Sequence, residues 1–171
     1  GKILTRHSYE GVLVGDEGGY GPKLKSNEEA LNLILDAITE TGRSPGTDIS
    51  IALDVASSHF YQDGAYQLSA TGSQKLLSRD VADLLSRWVE QYPIISIEDG
   101  LAEDDWSGWE ILTRQLGPKV QLIGDDLFVT NVSRLQQGIN TGVANSVLIK
   151  LNQIGTLTAT LKALHLALSH D

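Results

Sequence analysis

Four times in 171 residues a short apolar run ends on a charged side chain. Ile51-Ala-Leu-Asp54, Ile95-Ser-Ile-Glu98 and Leu122-Ile-Gly-Asp125 end on carboxylates, and Val147-Leu-Ile-Lys150 ends on an ammonium. Stretches with helical spacing separate the runs, and such alternation argues for parallel βα units. In an α/β barrel the carboxyl ends of the strands meet at one mouth, where the chemistry is done. The chain is too short for a complete barrel, which typically needs roughly 250 residues. The expected fold is therefore α/β, a partial TIM-like barrel of about five strands.

The remaining elements follow from caps and spacing. Residues 9–14 read as a first strand, followed by a glycine-dense loop, Gly15-Asp-Glu-Gly-Gly-Tyr-Gly-Pro22. Ser26 and Glu29 have capping-box spacing, and Leu31, Ile34, Leu35 and Ile38 form one apolar stripe, so a helix starts at Ser26 and closes at Gly42. Strands are expected over 49–53, 94–97, 120–124 and 146–149. Residues 60–68 read as a hairpin turning at Asp63-Gly64. Helices are expected over 73–91, with Val81, Leu84, Leu85 and Trp88 inward, and over 106–116, capped by Asp104 or Asp105. A helical turn is expected over 133–138. A last helix over 156–169 carries Leu157, Leu161, Leu164 and Leu168 on one face.

Composition removes several classes of function. The net charge of −9 speaks against nucleic acid and against anionic membrane surfaces. No apolar run is long enough for a spanning helix. There is no cysteine, hence no disulfide framework and no thiolate zinc site. The chain also has no methionine, even at position 1, which fits a segment of a longer protein.

A single carboxylate at a strand end means little, because strands end in polar loops. Asp54, Glu98 and Asp125 at the same place in three successive units are harder to assign to solvation alone. Oxygen ligands without Cys or His favour Mg²⁺ over zinc. Lys150, one unit later, could be an ion-pair partner of these carboxylates. Beside bound divalent cations its pKa would fall, making it a base. Glu17, in the glycine-rich loop, is a second candidate proton carrier or an ordinary loop carboxylate. His59 could line the mouth or cap a loop. His7, His165 and His170 read as surface or packing residues, and Trp106 and Trp109 as packing at a helix start.

Long motifs then carry a resemblance. Val14-Gly-Asp-Glu-Gly-Gly-Tyr-Gly-Pro22, Ser96-Ile-Glu-Asp-Gly-Leu-Ala-Glu-Asp-Asp-Trp106, Ile123-Gly-Asp-Asp-Leu-Phe-Val-Thr-Asn131 and Leu148-Ile-Lys-Leu-Asn-Gln-Ile-Gly-Thr-Leu157 resemble, in order, signatures of the enolase family. The resemblance implies a glycolytic, cytoplasmic lyase that reversibly dehydrates 2-phosphoglycerate to phosphoenolpyruvate. It implies Mg²⁺ on Asp54, Glu98 and Asp125, with Glu98, Asp125 and Lys150 also touching substrate. It implies Lys150 as proton acceptor at carbon 2 and Glu17 as proton donor to the leaving hydroxide. It also implies a parent that is a homodimer or larger.

Residues 1–171 would then be the central part of the C-terminal barrel domain. The N-terminal lid domain and the end of the barrel, with its phosphate contacts, would lie outside, so the chain alone is expected to be inactive or nearly so. Ser169-His170-Asp171 looks like the start of a later family segment, but it follows Lys150 too closely, and His170 receives no catalytic role. Two alternatives stay open: another proton-abstracting enzyme of the same superfamily, and a binding role without catalysis.

Overall fold

A computed structural model describes residues 1–16, 18–68 and 74–170, which fall into two compact units. The described residues up to 50 make up the first, and residues 51–68 and 74–170 the second.

The first unit holds helices α1 (Lys2–Arg6) and α2 (Asn27–Glu40). Ser26 caps α2 as its spacing predicts, its Oγ accepting the Glu29 N–H at 3.2 Å. The capping box closes differently from its ideal form. The Glu29 carboxylate accepts the Lys25 N–H at 2.8 Å and the Tyr9 hydroxyl at 2.7 Å, so it ties the incoming chain to the helix start. At the other end Gly42 has φ 76°, its N–H reaches the Thr39 carbonyl and the Arg43 N–H reaches that of Ile38, which is a Schellman closure. Residues 9–13 form no strand. Val14 makes one antiparallel bridge to Tyr20, which closes the glycine-rich loop on itself. Four glycines within that stretch favour tight local turning over strand pairing, and this outweighs the apolar pattern.

The second unit carries a parallel sheet of four strands in the order β1 (Ile51–Asp54), β4 (Ile94–Glu98), β5 (Gln121–Gly124) and β6 (Ser146–Val147). About five strands were expected; residues 9–14 account for the difference. A 3₁₀ turn (Ser57–Phe60) and a hairpin of β2 (Tyr61–Gln62) and β3 (Ala65–Tyr66) follow β1, the hairpin turning at Asp63-Gly64 as predicted. Helices α3 (Ser78–Gln91), α4 (Trp106–Leu116) and α5 (Val132–Thr141) connect the strands, and α6 (Leu151–Ile154) and α7 (Leu157–Leu168) follow β6. α3 starts later than the expected residue 73 because Leu76 pairs with Tyr66 as an extended segment, and Asp80 then caps from inside by accepting the Leu77 N–H at 2.8 Å.

Helices cover one face of the sheet. Ile94, Ile97 and Leu122 of the sheet are buried, and so are Val81 and Leu85 of α3 and Trp109, Leu112 and Leu116 of α4. Each such aliphatic side chain contributes about 1.5–3 kcal/mol by leaving water. Ile95, which the register shift between β1 and β4 leaves unpaired with β1, is 59% exposed. The leucine stripe of α7 also departs from expectation. Thr160 and Ala163 are the buried positions, whereas Leu157, Leu161 and Leu168 are exposed. Small residues let α7 lie close on α5, and the large ones are left outside. Among the described residues, no helix is long and apolar enough to cross a membrane.

Candidate active site at the strand ends

After a register shift between Ile51 and Ala52, β1 and β4 stay paired to their last residues, so Asp54 stands beside Glu98. Their carboxylates and that of Asp99 offer oxygens that lie within 4.8 Å of one another. Partial loss of solvation raises the pKa of Asp54, and the charges of Asp125 and Asp126 raise it further. Glu98 is raised by the same loss of solvation and then by Asp54, Asp125 and Asp99. Negative charge is thus concentrated where the strands end.

Asp99 has a different task. It is 3% exposed, with its backbone in the left-handed region at φ 43°. Its carboxylate accepts the N–H groups of Asp125 at 3.1 Å, Asp126 at 2.9 Å and Leu127 at 3.4 Å. The residue after β4 therefore pins the loop after β5. Burial pushes its pKa up to about 6, against the lowering effect of those N–H bonds.

Asp125 is buried at the head of that loop and is held on both oxygens. Lys150 Nζ donates to Oδ2, and Gln153 Nε2 donates to Oδ1 at 2.6 Å. β6 is shorter than the expected 146–149 and ends at Val147, so Lys150 is not a strand residue. Lys150 is instead the residue that caps α6, and its own N–H is bound by Thr130 Oγ1 at 2.9 Å. The hydrogen bond to Asp125 raises the pKa of Lys150, and the charges of Asp125, Glu98 and Asp126 add to it. This is opposite to the direction expected beside cations, because the neighbours here are carboxylates.

The second unit thus brings Asp54, Glu98, Asp125 and Lys150 into one electrostatic neighbourhood. Asp125 falls outside the 4.8 Å grouping of Asp54 and Glu98 and belongs to a second one with Asp99 and Asp126, yet its charge acts on both of the former. Glu17 lies outside the described residues. His59 and His165 are exposed, and His170 is exposed with its Nδ1 3.0 Å from the Leu166 carbonyl oxygen. Trp109 is fully buried, and Trp106 lies under the Arg134 guanidinium at 5.2 Å, so both are packing residues. Asp99, Asp126, Thr130 and Gln153 escaped the sequence reading. The two aspartates had a signal in the doublets Glu98-Asp99 and Asp125-Asp126, while Thr130 and Gln153 are uncharged and had none.

The donor set suits a hard divalent cation. It consists of carboxylate oxygens from three adjacent strand ends, two of them with pKa values raised first by loss of solvation and then by neighbouring carboxylates, and among the described residues it includes no sulfur or imidazole. Mg²⁺ fits this chemistry, with Lys150 as the neighbouring group able to carry a proton. A family model described as the enolase C-terminal TIM barrel domain matches residues 2–171.

Proposed function

The chain belongs to this family, and on that premise we propose that its strand-end site serves the enolase reaction, the reversible dehydration of 2-phosphoglycerate to phosphoenolpyruvate. Asp54, Glu98 and Asp125 would hold Mg²⁺ against the substrate carboxylate. Bound there, Mg²⁺ would supply positive charge where negative charge builds as carbon 2 loses its proton. A lysine base working beside Mg²⁺ is the general pattern of the superfamily.

Lys150 would accept the carbon-2 proton at Nζ, which needs the neutral amine. Its hydrogen bond to Asp125 is the largest influence keeping the proton on Nζ. Whatever draws charge away from Asp125 therefore lowers the Lys150 pKa toward the range of a working base. Glu98 and Asp125 would orient the substrate carboxylate, and Glu17 would protonate the departing hydroxide.

The observation carrying this reading is the placement of Lys150 on Asp125, with Glu98 close enough to raise the lysine further. The test is exchange of the carbon-2 proton of 2-phosphoglycerate with deuterated solvent, with Mg²⁺, on this chain and on the protein as its cell makes it. Exchange by the protein as its cell makes it that needs Mg²⁺ and is lost in Lys150→Ala is the expected result, with little or none by this chain alone. Exchange indifferent to Lys150→Ala would sink the assignment. Exchange with unphosphorylated 2-hydroxy acids, but not with 2-phosphoglycerate, would move the chain to another reaction of the superfamily.

A further inference from the structure

Val129 and Thr130 are consecutive β-branched residues, and both lie in the left-handed region, at φ 42° and 55°. Such residues are disfavoured there and persist only where the surroundings over-determine them. What this backbone delivers is one buried hydroxyl. Thr130 is 1% exposed, and its Oγ1 accepts the Lys150 N–H at 2.9 Å while donating to Gln153 Oε1 at 2.9 Å. The Gln153 amide then donates from Nε2 to Asp125 Oδ1 at 2.6 Å, and Lys150 Nζ donates to Asp125 Oδ2. The ring of contacts closes on the two residues to which the proposed reaction gives the largest roles.

We propose that Thr130 and Gln153 are positioning residues, a clamp that sets the Asp125 carboxylate and the Lys150 ammonium as one unit. The inference rests on the reading of Asp125 and Lys150 given above. No strand pairing fixes Lys150, because β6 ends at Val147, and its N–H bond to Thr130 replaces that pairing. Each group in the ring has one possible polarity. A carboxylate only accepts, so the amide must present Nε2 to Asp125 and Oε1 to the hydroxyl, and the hydroxyl must donate to Oε1 and accept from Lys150. With Oδ1 held by Gln153, the plane of the carboxylate is set before any cation arrives. Valine in place of Thr130 keeps the shape and removes the hydroxyl, whereas serine keeps the hydroxyl.

The test uses the full chain and its Thr130→Val, Thr130→Ser and Gln153→Leu variants. Calorimetric titration with Mg²⁺ alone reads the carboxylate, and hydrogen exchange of the Lys150 amide reads the link to Thr130. Losing a partner that orients a metal ligand typically weakens metal affinity by about 10–100-fold. That loss is expected for Thr130→Val and Gln153→Leu, with Thr130→Ser within about threefold of the unsubstituted chain. A merely structural role would lower thermal stability while leaving the affinity of the folded protein unchanged. Mg²⁺ affinity within twofold in both Gln153→Leu and Thr130→Val overturns the clamp. If the unsubstituted chain takes up no Mg²⁺, the metal reading falls and amide exchange decides. Protection lost in Thr130→Val and kept in Thr130→Ser upholds the clamp; equal rates in all three chains overturn it.

Discussion

Replacing Gly138 by alanine sets two effects of opposite sign against each other inside α5. In an ordinary helix interior the exchange stabilises by about 0.8–1 kcal/mol, because glycine has more backbone freedom to lose. Here a Cβ would stand 2.5 Å from Phe128 Cε1 and 2.8 Å from Cζ. The ring cannot retreat, because it is 3% exposed and its other edge lies against Gly124, where a Cβ would meet Cδ2 at 2.5 Å. Overpacking of this kind costs about 1–3 kcal/mol, and a ring fenced by two glycines belongs in the upper half of that range. The net expectation is a loss of about 1–2 kcal/mol, or roughly 3–6 °C in Tm for a chain of this length.

Urea unfolding followed by far-ultraviolet circular dichroism reads the change as a lower midpoint at unchanged slope. Phe128→Leu supplies the control. It should cost about 1 kcal/mol alone, and Gly138→Ala made on that background should be neutral or stabilising. The two substitutions would then couple by about 1–3 kcal/mol. A raised midpoint for Gly138→Ala alone, or the same shift in both backgrounds, would refute the argument that the ring is held between glycines.

Further expectations concern the site and its support. Asp99 has its folded pKa at about 6, above the ordinary aspartate value of 3.8, so the folded state binds its proton more tightly than the unfolded chain does. Its contribution therefore favours folding below about pH 4 and is lost as pH rises through 6, on the order of 2–3 kcal/mol. Unfolding of Asp99→Asn against the unsubstituted chain should show the difference moving in favour of asparagine between pH 4.5 and 6.5, and a movement the other way would reverse the sign. Mg²⁺ at a hundred times its Kd should stabilise the chain by about 2.7 kcal/mol, with the effect weakened in Glu98→Gln; a thermal scan with and without chelator checks it. Tyr66→Phe removes the hydroxyl that donates to Asp105 at 2.6 Å and accepts the Ala102 N–H at 3.0 Å. Leaving these buried partners unpaired should cost about 1–3 kcal/mol, and a denaturation midpoint within error of the unsubstituted chain would contradict it.

The parts of this fold legible from sequence were those set by local chemistry. Ser26 and Asp105 cap helices because a short oxygen-bearing side chain can reach N–H groups two or three residues on, and the Gly108 N–H does lie 3.0 Å from Asp105. Asp54 and Glu98 stand where their strands run out towards solvent, Asp54 exposed and Glu98 half-buried, since a charge is costly deeper in the sheet. What escaped reading depends on contacts distant along the chain. Asp99 is one more acidic residue until its bonds across to the β5 loop are seen. Lys150 looks like a strand end, yet Thr130, twenty residues earlier, sets its place. The α7 leucines have helical periodicity, but periodicity names a face without saying what covers it. Glu17 lies outside the described residues and stays a candidate on sequence grounds.

The order of strands in the sheet has a consequence for how the chain is made. β1, β4, β5 and β6 lie side by side in the order in which a ribosome releases them. Each new strand finds its template at the edge left by the one before, and no strand must be inserted between two already paired. Nascent chain can therefore extend the sheet by accretion, and a pause in translation after β5 would leave a paired three-stranded sheet behind it. The edge on which β6 will dock is the surface a chaperone would have to shield during that interval.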